Sequence, residues 1–357
     1  MSLHLCLLGD ANSVHLRRWA GEMLARGFRV SVVTARPEPI AGVEQRVLSP
    51  VERASDWLWR VGEARHHVNE LAPDIVHAHY LTSYGYLAAR CARHPLAMTA
   101  WGSDILVTPN NSRWMRWLTG WTLRQADLIT GDSLDLLEAM RAYRPRAPLH
   151  QIHWGADMAK FRPASWAGKP GFQIVSLRSW EPHYNIDAIV GAVAILLQRL
   201  PEAGVHLHLL GGGPQEGALR AQAHALGIAS HVSFHGRVGD AAMVQTLQAC
   251  KVSVSVPTSD ATSVSVLESM ACALPVIASD LPANRQWLAA HEGVLVGARD
   301  AAALAAALEA LCRDDLRAQG LGEANYQRMQ GEGARSVQMD AMASLYHELL
   351  HPVQKAA

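Results

Sequence analysis

The sequence predicts an α/β protein of two doubly wound parallel-sheet domains facing each other across a cleft. Three observations predict it. Short apolar, β-branched runs alternate with longer amphipathic stretches along all 357 residues, and strand, helix, strand at that rhythm means parallel sheets covered on both faces. The pattern occurs twice, with six strand candidates each time. Between the two sets, residues 162–171 (RPASWAGKPG) carry two Pro and two Gly without periodicity and read as a linker. Domains are therefore expected at residues 1–165 and 166–335, and the segment 336–357 is expected to carry a helix, near 337–350, back to the first domain. Open parallel sheets bind ligands beyond their carboxyl ends, which makes the cleft the expected site.

In the first half the strand candidates are residues 3–8, 29–34 (RVSVVT), 74–79 (DIVHAH), 96–101, 128–131 and 149–153. In the second half they are 172–177, 206–210, 231–235, 252–256 (VSVSV), 275–278 and 293–296. Amphipathic stretches at 14–26, 187–200 and 215–226 read as covering helices. Asn12 or Ser13 stands where the first of these helices needs a cap.

Composition removes several function classes. Hydrophobic residues make up 49% and charged ones 18%, which excludes a disordered chain. Lys and Arg total 32 against 32 Asp and Glu, so a nucleic-acid partner is not expected. The balance is local: residues 1–165 carry 19 basic and 15 acidic side chains, residues 166–357 carry 13 and 17. The first half is thus the better candidate to face an anionic surface. Five scattered cysteines without a C-x-x-C pair argue against a disulfide framework or structural zinc and for a reducing cytoplasm. Residues 5–8 are too short for a signal-peptide core, and no window approaches the ~18 apolar residues of a spanning helix.

Chemistry concentrates at residues 257–284 (PTSDATSVSVLESMACALPVIASDLPAN), where a polar loop leads into a helix expected from Ser263 to Ala273. The amides of residues 261–264 (Ala261, Thr262, Ser263, Val264) open that helix, where free N–H groups and the dipole favour an anion. Asp260 lies just before it and Glu268 within it, eight positions apart. Asp260 also fits an Asx-turn, and Glu268 a solvated helix carboxylate. Gly211-Gly212-Gly213-Pro214 is a turn or an anion-binding helix start, not a dinucleotide fingerprint, because Pro214 falls inside the window. Trp114, Trp117 and Trp121 form one helical stripe flanked by Arg113, Arg116 and Arg124; it reads either as core packing or as a basic aromatic surface resting on a membrane.

The block from Asp260 to Val276 resembles the E-x7-E and MACGLPV segments of family-four retaining glycosyltransferases of the GT-B fold, whose domains are Rossmann-like. The resemblance covers nearly the whole chain: residues 73–79 (PDIVHAH), 99–104 (TAWGSD), 155–157 with 161–163 (GAD and FRP), 211–214 (GGGP) and 234–238 (FHGRV) are similar to the family's segments in the same order. It implies a nucleotide-diphosphate sugar bound mainly by the second domain and an acceptor hydroxyl, on a glycan or lipid carrier, entering from the first. Glu268 would hold the ribose, Asp260 the sugar hydroxyls, and Arg178 the diphosphate through its planar fork. Gly9, Asp10, Gly212 and Arg237 would be donor-proximal, and Asn12, His15, Trp101 and Asp104 would frame the acceptor. Arg178 could instead form a surface ion pair with Glu181, Arg237 could be plain surface, and Asp104 only a cap. No protein nucleophile is evident, and the implied mechanism is front-face attack with the leaving phosphate as base.

Three departures stand out: Asp260 replaces the first Glu, the motif Lys after Arg178 is missing, and Trp101 replaces a histidine. They leave two rivals open, a non-catalytic subunit and a GT-B-fold sugar-nucleotide epimerase. No metal is expected, since His77 and His79 share a strand face with no nearby Cys, Asp or Glu. The expected localisation is cytoplasmic, with peripheral membrane contact through the first domain.

Overall fold

The computed structural model describes residues 2–288 and 294–351. The chain forms two units. One comprises the chain up to Trp154 and the segment from Gln338 onward; the other is Gly155–Val337.

The first unit carries seven strands: β1 (His4–Leu8), β2 (Arg29–Thr34), β3 (Glu44–Val47), β4 (Ile75–His79), β5 (Leu96–Thr99), β6 (Leu128–Gly131) and β7 (Leu149–Gln151). They order as β3-β2-β1-β4-β5-β6-β7, and every pairing is parallel. The sheet has one strand more than the apolar pattern predicts. β3 reads Glu-Gln-Arg-Val and lies half-exposed at the sheet edge, where polar side chains discourage further pairing and leave no apolar signal.

The second unit carries β8 (Phe172–Ser176), β9 (Val205–Leu210), β10 (Val232–Gly236), β11 (Val252–Ser255), β12 (Val276–Ser279) and β13 (Leu295–Val296), ordered β10-β9-β8-β11-β12-β13 and all parallel. The expected strand at 293–296 is found as β13; Gly293 itself lies outside the described residues, as do residues 352–357 of the terminal segment.

Alternation along each strand sends apolar side chains to both faces. In the first sheet Leu5, Leu7, Val30 and Val32 enter one core while Cys6, Leu8, Val33 and Val76 enter another. In the second, Ile174, Leu207, Leu209 and Val254 face one cluster and Val175, Leu210, Val276 and Ala278 the opposite one. Double-sided burial is the signature of a doubly wound sheet.

The change of unit falls between Trp154 and Gly155, ahead of the expected linker at 162–171. Phe161 is fully buried in the second unit's core, and Lys169 donates to the Cys250 carbonyl at 2.6 Å. The Pro/Gly-rich stretch is therefore anchored surface of the second unit. Gly155 adopts φ +62° and approaches the Arg335 backbone so closely that a Cβ would lie 2.5 Å from it. The terminal helix Arg335–Leu350 delivers Met339, Met342 and Tyr346 to the first unit's core. No helix among the described residues is long and apolar enough to cross a membrane.

Candidate active site

Parallel sheets expose their binding loops where the strand order reverses. In the second unit that point lies between β8 and β11, whose register pairs Val252 with Ile174 and Ser253 with Val175. The loops leaving these two strands carry Arg178 and Asp260, which meet although they are 82 residues apart in sequence. The Arg178 Nη2 donates to Asp260 Oδ2 at 2.8 Å, and Nη1 donates to Ser263 Oγ and, at 3.2 Å, to Ser265 Oγ. The guanidinium also lies over the Tyr184 ring, 4.2 Å from its centroid. Arg178 is only 8% exposed, so the surface pair with Glu181 does not form. Burial raises the Asp260 pKa, and the charge and hydrogen bond of Arg178 oppose that rise.

The helix that follows, Val264–Ala271, is capped by Ser263. The Ser263 side chain makes no cap hydrogen bond to the helix; its Oγ instead accepts from Arg178 and bonds Ser265 Oγ at 2.9 Å. The helix starts one residue later and ends two earlier than expected from 263–273. Thr262 and Ser263 are buried, and Glu268 is 5% exposed within the helix rather than solvated.

The loop after β9 is held to the loop after β8 by backbone hydrogen bonds. Trp180 N donates to Gly212 O at 3.1 Å, and Gln215 N to Trp180 O at 3.2 Å. A Cβ on Gly211 would lie 2.3 Å from the Arg178 carbonyl, and one on Gly213 would lie 2.5 Å from that of Trp180. These glycines thus position the Arg178 loop. Arg237 is exposed beside Gly212 and has no ion pair among the described residues.

The first unit repeats the arrangement at its own switch point, between β1 and β4. Gly9 lies where a Cβ would come within 2.8 Å of Leu16. Asp10 accepts from the Tyr84 hydroxyl at 2.5 Å and from Arg36 at 3.3 Å. Asn12 is exposed, and Ser13 is the residue that caps helix Val14–Ala25. The His15 ring sits 4.6 Å from Trp154 and 5.2 Å from Trp101. Trp101 Nε1 donates to His79 Nδ1 at 3.3 Å, and burial together with nearby His15 pushes the His79 pKa down to about 3. His77 hydrogen-bonds Tyr346 at 2.5 Å and Thr99 at 2.7 Å, so both its ring nitrogens already have protein partners.

Asp104 corrects an expectation. Placed on the acceptor side by resemblance, it is fully buried and accepts from the Leu81 and Trp101 amides at 2.8 and 2.9 Å. It shapes the loop that presents Trp101 and cannot itself touch an acceptor; burial lifts its pKa to about 6. A cavity of about 670 Å³ opens beside it, lined among others by Asp10, Trp57, His79, Tyr84, Trp101 and Trp114.

Sequence reasoning missed Tyr184, Ser265, Tyr84 and Trp57. Tyr184, six residues after Arg178, was legible as an aromatic seat for a guanidinium. Tyr84 had no signal, because only the fold brings the turn after β4 to Asp10. The tryptophan stripe is not core: Trp114 is 61% and Trp117 53% exposed, and only Trp121 is half-buried, near Tyr86.

Two family models match this chain. "Glycosyl transferases group 1" spans residues 157–328, the Arg178–Asp260 region included, and "Glycosyl transferase 4-like" spans residues 4–133. The chain belongs to the family-four, group 1 glycosyltransferases. This glycosyltransferase is 29% identical over 300 residues to the Bacillus subtilis protein named as glycosyltransferase EpsD, 76% of either chain. It is 37% identical over 138 residues to a phosphatidyl-myo-inositol mannosyltransferase of Mycobacterium leprae, 38% of this chain and 36% of that one. Anabaena HepE, solved with UDP-glucose, superposes with a TM-score of 0.79 at 16% identity, covering 97% of this chain and all of that one, which shows the GT-B fold. The enzyme is a nucleotide-sugar-dependent transferase of glycan or glycolipid assembly; neither the epimerase nor the non-catalytic subunit gains support.

Proposed function

We propose that the enzyme transfers its sugar with retention, the diphosphate of the donor lying at Arg178 and the amides of residues 261–264. The observation that carries this reading is the Arg178 fork, buried at the reversal point and held by Asp260, Ser263, Ser265 and Tyr184. A preorganised cation beside a helix N-terminus stabilises the charge that develops on a departing diphosphate. Glu268 holds the ribose, Asp260 reaches the sugar hydroxyls, and Gly9, Asp10, Gly212 and Arg237 lie toward the donor. The leaving phosphate takes the acceptor proton, and no metal is required.

The acceptor is a glycan or a lipid-linked saccharide, framed by Asn12, His15 and Trp101 and entering the aromatic cavity of the first unit. That unit also contacts the cytoplasmic face of a membrane. Aromatic walls suit sugar faces and isoprenoid or acyl chains, and the mycobacterial relative's name supplies a lipid precedent.

Arg178→Lys keeps the charge but loses the fork. Turnover is expected to fall roughly 10²–10³-fold, as when one preorganised donor is removed from a charged transition state. Thermal shifts with nucleoside mono- and diphosphates report binding, since a ligand at about a hundred times its Kd adds ~2.7 kcal/mol. The variant should lose diphosphate affinity more than monophosphate affinity. An unchanged ratio with unchanged turnover would remove Arg178 from the diphosphate site.

A further inference from the structure

Helix Arg113–Leu123 separates two different surfaces of the first unit. Trp114, Met115 and Leu118 line the aromatic cavity. Arg113, Arg116, Trp117 and Arg124 line, together with Tyr143 and Arg144 beyond helix Leu134–Arg141, a separate groove of about 540 Å³. We propose that this groove binds the phosphates of acidic phospholipid headgroups while Trp114 and Trp117 rest in the headgroup layer. The inference rests on the membrane contact proposed above and gives it an address; it does not depend on the chemistry of transfer.

Charge is the first observation. All four arginines of the groove are exposed, and none pairs with an acidic side chain among the described residues. Arg29, Arg141, Arg199, Arg220, Arg285 and Arg313 do pair, while some others such as Arg237 do not; the groove is distinguished by gathering four such arginines around one depression. In a chain of zero net charge, four uncompensated cations around one groove are a local excess. Two of the four, Arg113 and Arg116, also run against the helix. They stand in its first turn, which holds no acidic residue and where the dipole disfavours cations. Helix stability therefore does not account for them.

The exposed aromatics are the second observation. The Trp114 and Trp117 rings stack on each other at 4.9 Å with 23° between planes. An indole pair left in water beside cations matches the amphipathic chemistry of a membrane interface. Single-stranded nucleic acid also uses Arg and Trp, but it needs an open ring face for each base. Here each ring covers one face of the other, and the groove's lining offers no spaced series of ring faces along which successive bases could stack, so the acidic lipid surface is the better fit.

Flotation of the full chain with vesicles of phosphatidylcholine, alone or mixed with phosphatidylglycerol, tests this. Wild type is expected to bind the mixed vesicles, to bind the neutral ones far more weakly, and to be released by salt. Replacing Arg116 and Arg124 together, Arg116→Gln with Arg124→Gln, should weaken binding roughly thirtyfold, at ~1 kcal/mol for each basic residue near an anionic surface. The thermal midpoint and turnover on a water-soluble acceptor should not change, since both side chains are exposed and outside the proposed site. Trp114→Ser with Trp117→Ser should weaken binding and leave its salt dependence intact. Wild-type affinity in the arginine variant would overturn the groove while sparing the membrane contact. Absence of wild-type binding to either vesicle would overturn both. Equal affinity for an oligonucleotide would reassign the surface to polyanions at large and overturn the lipid proposal.

Discussion

Asp260 and Arg178 were read from the sequence as two independent contacts, one for sugar hydroxyls and one for diphosphate. In the folded chain they are a pair, and each one's charge is partly spent on the other. Asp260→Asn therefore leaves Arg178 with a neutral partner. Diphosphate affinity should rise about three- to tenfold, a screened Coulomb effect of about 1 kcal/mol, while turnover of the sugar nucleotide falls. Isothermal titration beside steady-state kinetics separates these outcomes, and equal losses of nucleotide and sugar-nucleotide affinity would refute the pairing argument. Asp104 gives a pH prediction. Its folded pKa of about 6 exceeds the unfolded value near 3.8. Between these values the folded chain holds a proton that the unfolded chain has released, so this contribution is complete below pH ~4 and lost as pH rises through ~6. A shift of about two units corresponds to roughly 3 kcal/mol. Denaturant unfolding across that range should show Asp104→Asn lacking this downward slope relative to wild type; parallel curves would show that Asp104 is ionised throughout.

At the scale of elements, the terminal helix Arg335–Leu350 shows how one side chain joins a segment to a distant core. Its Tyr346 hydroxyl accepts from Trp19 Nε1 at 3.0 Å and bonds the His77 ring at 2.5 Å, all three groups being buried. Tyr346→Phe preserves the packing and leaves two buried polar groups short of a partner. Stability is expected to fall by about 1–3 kcal/mol for each group left unsatisfied. Chemical denaturation measures this, and a loss below about 0.5 kcal/mol, the size of an ordinary surface change, would mean that water replaces the hydroxyl. The helix is nearly featureless by amphipathic pattern. Its buried side chains Met339, Met342 and Tyr346, with Ala343, Leu345, Leu349 and Leu350 packed beside them, identify its inner face only once the first unit is assembled.

At the scale of the whole molecule, local sequence determined the element types. Short Val-rich runs such as those of β2 (RVSVVT) and β11 (VSVS) are buried along nearly their whole length and read as interior strands. Helix starts were legible to within a residue or two, because capping and amphipathic spacing act over one turn. The order of the family segments also marked Arg178, Asp260 and Glu268 as candidates, and the fold buries all three side chains or nearly so. Three features were not legible. The Pro/Gly-rich stretch at 162–171 looked like a linker, yet Phe161 just before it is buried in the second unit, and burial is a property of the partner surface. The stripe of Trp114 and Trp117 has the spacing of a core helix, and nothing local says whether another layer covers it. The Arg178–Asp260 pair joins loops 82 residues apart that meet only because β8 and β11 are neighbours where the strand order reverses. Periodicity and capping act over a few residues and are written in the sequence. Strand order, the covering of a face and the meeting of two charges are long-range events, and the tertiary structure alone decided them.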